Sequence, residues 1–281
     1  MISCKKRIQK AWENKELFFK PWIGRLYNEG VQLPGLNRRI RVLVIGASRY
    51  CEYLAEHGGK ACPHRDACCF CRNRELLLQI ADDCLFVNDT AARKGTHKDM
   101  KIDDINLASV LKAYYGKPPK AYKKFQESMA PILECNEPQK VWLQLSFVNY
   151  FQPIVWSDGK DGTRTPRVSD YEDIYEMSRH VIERVIKELD PDLVLMWMPA
   201  QIRTALDRLF PDAEPTGKAY KYKSAPNISF QSYYLFVNGR QILLQSTPHP
   251  TANYDYGAFI KKVFEGLSAF NPTPQGPKGG E

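Results

Sequence analysis

Four short segments of this chain are almost entirely apolar, and they constrain the fold more than any other feature of the sequence. They span residues 42–46, 141–148, 193–198 and 242–244. Between them, apolar residues recur at helical spacing, most clearly over 174–189 and 259–267. Strands that are apolar along their whole length are typical of parallel sheets covered on both faces. The pattern therefore predicts an α/β fold, a three-layer sandwich in which a central, mostly parallel four-stranded sheet is flanked by helices.

The chain of 281 residues is long enough for one large α/β domain. We expect a single domain over 1–270, with a Cys-rich insertion at about 51–75 and a loop-rich insertion at about 88–120. Other segments carry weaker signals, which predict a helix over 7–27, an irregular basic loop over 211–230, an edge hairpin over 233–239 and a disordered tail over 271–281.

Charge and cysteine content limit the class of protein. Forty Lys and Arg residues against 32 Asp and Glu give a net charge of +8, which fits a polyanionic partner such as nucleic acid. No apolar run approaches the roughly 20 residues of a membrane helix, and the basic start at Met1 is not followed by an apolar segment. We therefore expect a monomeric cytoplasmic protein, with its eight cysteines present as thiols or metal ligands.

Polar side chains cluster where the four predicted strands end. Because ligands of parallel sheets bind at the carboxyl ends of the strands, Tyr50, Asn149 and His249 should share one rim. His249 lies between two prolines that stiffen its loop. The alternatives are a tight turn with a locally bonded histidine, an Asx turn at Asn149, and core packing of Tyr50.

The Cys-rich insertion has partial metal-site spacing. Cys68 and Cys71 are separated by two residues, and Cys62 with either His64 or Cys51 would complete four ligands. The sequence therefore leaves two interpretations open, a structural zinc site and a set of reduced thiols.

Three segments, in order, resemble motifs of the uracil-DNA glycosylase superfamily. They are Gly46-Ala47-Ser48-Arg49-Tyr50, Phe147-Val148-Asn149-Tyr150-Phe151 and His249-Pro250-Thr251, and the likeness covers about 40–268. It implies a base-flipping DNA glycosylase that needs no cofactor for catalysis. The implied catalytic residues are His249, Asn149, Ser48 and Glu52. The implied substrate contacts are Gly46, Ala47, Tyr50, Phe151, Thr247, Pro250 and Thr251, and the implied DNA contacts are Arg49, Arg164, Arg167 and Ser246.

The first motif departs from the superfamily pattern. Where members often carry an acid or amide that orients water, this chain has Ala47 and Ser48, and a serine is a poor base without a partner. The departure favours a modified pyrimidine over uracil as the excised base. Two further interpretations remain, a phage-defence glycosylase for hypermodified cytosine and a catalytically silent DNA-binding protein of the same fold.

Overall fold

The computed structural model describes residues 21–33, 35–50, 110, 118–155, 172–198, 209–222, 225–252 and 255–267. The side chains of 48–50, 151–155, 172–177, 198, 222 and 225–227 fall outside that description. The described strands are β1 (Trp22–Ile23), β2 (Val31–Gln32), β3 (Arg39–Ile40), β4 (Val42–Tyr50), β5 (Ser146–Val155), β6 (Leu193–Met198), β7 (Glu214–Tyr222), β8 (Ala225–Val237) and β9 (Arg240–Pro248). The described helices are α1 (Lys120–Met129), α2 (Glu172–Leu189) and α3 (Tyr256–Leu267), with 3₁₀ turns at Tyr27–Glu29 and Pro138–Leu143.

A seven-stranded sheet with the order β1-β5-β4-β6-β9-β8-β7 organises the fold. The four strands anticipated from the sequence are neighbours in this sheet, and they run parallel to one another. The prediction of an α/β fold is confirmed, but the sheet is mixed and has seven strands instead of four. The extra strands β1, β8 and β7 pair antiparallel at its two sides, so they extend the parallel centre without changing its common direction.

The helices follow the apolar periodicity of the sequence. In α3, the apolar residues Phe259, Ile260, Val263, Phe264 and Leu267 are all buried, as their spacing predicts. Helix α2 ends at Leu189, directly before Asp190 and Pro191, since a proline cannot continue the hydrogen-bonding of a helix. Helix α1 packs against α3, whereas α2 packs against β5.

Several predicted strand bounds are wrong. The second apolar segment begins as the 3₁₀ turn Pro138–Leu143, and its strand covers Ser146–Val155. Strands β4 and β9 also continue further than their apolar runs, to Tyr50 and Pro248. Asn149 therefore lies within a strand, where its backbone is in register with Gly46, and not in an Asx turn after one.

The prediction of an irregular basic loop over 211–230 is wrong as well, because this segment forms β7 and the first part of β8. The Asn238–Gly239 hairpin is confirmed, with φ values of 55° and 72° that suit a tight turn. It joins β8 to β9 inside the sheet, since β7 is the edge strand beyond β8. The predicted helix over 7–27 is wrong after Pro21, where β1 and a 3₁₀ turn are found.

Large aromatic side chains fill one face of the parallel centre. Phe125 of α1 lies 5.1 Å from Trp142 and 5.2 Å from Trp197 of β6, measured between ring centroids. Phe147 of β5 lies 5.5 Å from Trp197, and Tyr122 contacts the same indole at 5.5 Å. We call these five residues the aromatic cluster. They are buried, and they fix α1 against the strands that end at the predicted rim.

A cluster of charged side chains lies at the end of the sheet where the parallel strands begin, opposite the predicted rim. The buried Asp192 directly precedes β6 and accepts hydrogen bonds from Arg38 at 3.0 Å, Arg240 at 2.9 Å and the backbone N–H of Arg41 at 2.8 Å. Asp190 accepts from Arg41 at 2.7 Å and pairs with Arg240 at 2.8 Å. This arginine–aspartate cluster ties the starts of β4, β6 and β9 together.

Candidate functional site

One row of side chains crosses the four parallel strands on a single face. Gly46 of β4 is in register with Asn149 of β5, and Trp197 of β6 is in register with Thr247 of β9. Ile45 of β4 is in register with Met196 of β6, so the next residues along the two strands, Gly46 and Trp197, are also at the same level. Asn149, Gly46, Trp197 and Thr247 therefore form one row across the sheet. His249 follows Thr247 by two residues and lies one level closer to the rim.

The contact between Gly46 and Asn149 is very close. A Cβ atom at Gly46 would lie 2.5 Å from Asn149 Oδ1 and 2.9 Å from the ring of Phe147. Only glycine fits this close approach, because every other residue carries a Cβ atom. The missing side chain thus lets the buried amide of Asn149 lie directly over β4.

Replacing Gly46 with alanine should push the Asn149 amide out of its place. Under the glycosylase interpretation of the sequence, catalytic efficiency for base release should fall about 10- to 100-fold, because displacements near 1 Å are this costly. Single-turnover assays at several substrate concentrations measure the effect. Gly257→Ala is the matched control, since a Cβ there meets nothing nearer than Ser128 Oγ at 3.5 Å. A Gly46→Ala rate within twofold of the wild type would show that the position of Asn149 is unimportant.

The turn after β9 holds His249 through its Nδ1 atom. Nδ1 lies 2.7 Å from the Thr251 hydroxyl and accepts the backbone N–H of Thr251 at 3.3 Å. The turn is closed by Ala252 N–H donating to the His249 carbonyl at 2.8 Å. Lys124 of α1 fastens the turn by donating from Nζ to the Ala252 carbonyl at 3.1 Å. Because a backbone N–H can only donate, Nδ1 is an acceptor and the ring proton belongs on Nε2.

Burial keeps this imidazole uncharged. The loss of hydration lowers the pKa of His249 from 6.5 to about 4, since burial penalises the charged form. Trp197 lies edge-on to the ring, with centroids 5.9 Å apart and planes at 82°. At neutral pH, His249 is therefore a neutral ring that carries its proton on Nε2.

Other expected contacts of the turn are buried in the sheet. The hydroxyl of Thr247 faces the carbonyls of Met196 and Pro248, at 3.3 and 3.2 Å. Ser246 donates its hydroxyl to the Gln231 carbonyl at 2.9 Å. These bonds are at odds with the expected substrate contact of Thr247 and DNA contact of Ser246, because a buried, bonded hydroxyl is not presented to a ligand. Pro250 is also buried, whereas Thr251 is half-buried.

The rest of the predicted site is only partly described. Ala47 is buried and apolar. The backbones of Ser48, Arg49 and Tyr50 belong to β4, and Ser48 is in register with Phe151 of β5, but their side chains are not described. The remaining predicted residues lie outside the described residues; they are Glu52, Cys62, His64, Cys68, Cys71, Arg164 and Arg167.

Two residues near His249 were missed by sequence reasoning. Trp197 lies in an apolar run and looks like any core residue, and Lys124 looks like a solvated lysine of an unpredicted helix. Only the tertiary structure shows that both contact the histidine turn.

Comparisons with known proteins do not place the chain in a family. No family model matches it, and no curated protein is significantly similar. In the part of the chain that the structure describes, no group of three or more His, Cys, Asp or Glu side chains is placed to hold a metal. None of the described helices is long and apolar enough to cross a membrane.

Proposed function

We propose that this protein is a DNA glycosylase similar to uracil-DNA glycosylases, which flips a base out of DNA and hydrolyses its N-glycosidic bond. The observation that carries the proposal is the state of His249, a neutral ring with Thr251 on Nδ1 and the proton on Nε2. A fixed donor at a rim can stabilise the negative charge that develops on a departing base. The proposal includes a three-layer arrangement, a monomeric state and a cytoplasmic location.

The reaction divides between His249 and water. The bond from the sugar carbon to the base nitrogen breaks with both electrons passing to the base, while positive charge builds on the sugar. Nε2–H of His249 donates a hydrogen bond to a base oxygen during this step. Water then adds to the sugar carbon, and the proton that it loses passes to the base anion, which leaves as the neutral base. Ser48 and Glu52 are the proposed residues for orienting this water.

Asn149 is the proposed reader of the base. A carboxamide offers one acceptor and two donors, which suits the edge of a pyrimidine. Asn149 belongs to β5, three strand spacings from β9, but its amide lies over Gly46 of β4. From Gly46 to β9 there are two spacings, or about 10 Å at ordinary strand spacing. A gap of this order between the reader and His249 is wide enough for one base. Tyr50 and Phe151 are the proposed stacking partners.

The identity of the excised base follows from the first motif. Ala47 offers no polar group for water activation, so the enzyme should depend on a good or strongly bound leaving base. We therefore propose a modified pyrimidine as substrate, with a phage-defence glycosylase that excises hypermodified cytosine as the alternative. Oligonucleotides carrying uracil or modified cytosine, treated with alkali after incubation, report base loss as strand cleavage. Strong uracil release with no release of modified bases would contradict the proposed substrate.

A silent nucleic-acid-binding protein is the second candidate. The apolar Ala47 at the first motif favours it, since a rim without a water-orienting group can bind a base without releasing it. The same oligonucleotides distinguish the two candidates, because a silent protein binds them and leaves no alkali-sensitive site.

Binding to DNA should weaken steeply with salt. Lys218 and Lys221 are exposed on the edge strand β7, which runs in the same direction as β9 and ends at the same rim. Neutralising both with glutamine should reduce the slope of log K against log salt by about one unit per lost phosphate contact. Lys187→Gln on α2 is the control, since the Lys187 carbonyl binds Asn238 at the opposite edge. An unchanged slope in the β7 variant would remove these lysines from the DNA path.

Arg38 and Arg39 also contribute to the positive charge, but they lie before β4, at the end of the sheet opposite His249. Arg38 is paired with Asp192 at 3.0 Å, and Arg39 lies 4.0 Å from Glu29. We therefore do not include them in the proposed DNA path.

The cysteine cluster is proposed to bind one structural zinc through Cys62, Cys68, Cys71 and His64. A metal would stabilise an insertion too short for its own core. Protein purified without added zinc should contain about one equivalent by metal analysis, and a chelator should lower its melting temperature. Metal-free protein with an unchanged melting temperature would leave these residues as plain thiols.

A further inference from the structure

The back of the His249 ring is covered by aromatic groups that the proposed reaction does not use. Trp197 is almost fully buried, and its indole meets the imidazole edge-on at 5.9 Å. Behind the indole lies Tyr256 of α3, also buried, whose hydroxyl is close enough to Trp197 and Thr247 for both to influence its pKa. Among the described residues, neither Trp197 Nε1 nor the Tyr256 hydroxyl makes a hydrogen bond of standard geometry.

The Tyr256 hydroxyl lies within hydrogen-bonding range of Trp197 and Thr247, so the polar atom of the indole has a partner inside the core. The contact that ties the indole to the candidate site is the edge-on packing of its ring against the imidazole, with centroids 5.9 Å apart. The rest of the aromatic cluster holds the indole from the side, since Phe125, Phe147 and Tyr122 all lie within 5.5 Å of its centroid.

We propose that Trp197 is a positioning residue for His249, setting the plane of the imidazole and excluding water from its inner side. The inference rests on the proposed function in taking His249 as the reacting side chain, but its test needs no turnover. Thr251 holds the imidazole of His249 at one atom, Nδ1. A contact at one atom does not fix the plane of the ring, so packing against the ring must limit its rotation. The indole supplies that packing.

Other groups around the ring do not replace this role. Among the described residues, the titratable or charged side chains that α1 and α3 bring near the turn are Lys124, Tyr256 and Asp255. Lys124 is bound to the Ala252 carbonyl, and Asp255 is exposed and accepts the Ala258 N–H. Burial is the cause of the lowered pKa of His249.

The test compares two tryptophans of the same cluster. Trp142 is equally buried and contacts Tyr122, Phe125 and Phe147, but it has no ring contact with His249. Trp197→Phe and Trp142→Phe thus remove the same atoms from one cluster. In an NMR titration, Trp197→Phe should raise the pKa of His249 measurably and Trp197→Leu should raise it by about one unit or more, towards the ordinary value. Trp142→Phe should leave it unchanged.

Two results would overturn the inference. One is an unchanged His249 pKa in both Trp197 variants, and the other is an equal rise in Trp142→Phe, which would indicate a general effect of the core. If neither Trp197 variant folds, wild-type protein still decides, because indole-to-imidazole Overhauser contacts must be present and their absence rejects the contact. If the Trp197 variants raise the His249 pKa but the wild-type protein releases no base from DNA, the positioning role of Trp197 stands and only the proposed function is rejected.

Discussion

His249→Ala should lower the single-turnover rate of base release by about 10² to 10³-fold, the usual effect of losing one donor to a developing anion. The donor is Nε2–H, since Nδ1 is occupied by Thr251. Folding should be unaffected, because the side chain lies half-buried in a turn and not in the aromatic cluster. Rapid-quench assays on labelled oligonucleotides measure the rate, and circular dichroism checks the fold.

His180→Ala is the control for this substitution. His180 is an exposed residue of α2, 3.7 Å from Glu183, and α2 does not contribute to the candidate site. The variant should release base at the wild-type rate. If His249→Ala behaves like His180→Ala, then His249 does not stabilise the leaving base.

Asp192→Ala should have the largest effect on stability. It removes the carboxylate that accepts from Arg38, Arg240 and the backbone of Arg41, and it leaves these donors partly buried. Breaking a buried charge cluster in this way costs about 3–5 kcal/mol. Three of the four parallel strands meet there, so we expect the loss to appear in global unfolding by urea, with an unchanged slope.

A surface ion pair provides the comparison. Glu137 pairs with Lys140 while both side chains are half exposed, and Glu137→Ala should cost less than about 1 kcal/mol. A loss of similar size in Asp192→Ala would mean that water or Asp190 replaces the missing carboxylate, and that the arginine–aspartate cluster is not a main source of stability.

The parallel centre of the sheet was predictable because its strands are buried on both faces. Leu193–Met198 is apolar at every position and follows Asp190-Pro191, which stops the preceding helix, so its bounds were predicted correctly. Strand β5 was misplaced because Val141 and Trp142 are buried in a 3₁₀ turn, and apolar content alone does not distinguish a buried turn from a strand.

The antiparallel side of the sheet was missed for the opposite reason. The edge strand β7 alternates exposed lysines with residues such as Tyr220, whose ring packs 6.2 Å from Phe259 of α3. Strand β7 carries polar residues, as exposed edge strands do, and Gly217 with a positive φ. Polar residues and such glycines are also common in loops. The sequence therefore did not reveal a strand whose stability comes from its pairing with β8 and its contact with α3.

The candidate site was predictable as a rim but not in its detail. The four apolar strands and the position of His249 after the last of them predicted the end of the sheet at which Asn149 and His249 lie. The bond between Thr251 and Nδ1 is local, since the two residues are two positions apart. The approach of Asn149 to Gly46 and the indole behind His249 depend on residues far apart in the chain. Such contacts depend on the register between strands, which apolar periodicity does not encode.

Release of free base from DNA is the most direct test of the central claim. Wild-type protein and His249→Gln, each incubated with DNAs that differ in base content and modification, can be compared by mass spectrometry of the bases set free. The account predicts a free modified pyrimidine, with a matching number of abasic sites, from the wild-type protein and at most a trace from His249→Gln. DNA that is bound by both proteins and yields no free base from either would contradict it.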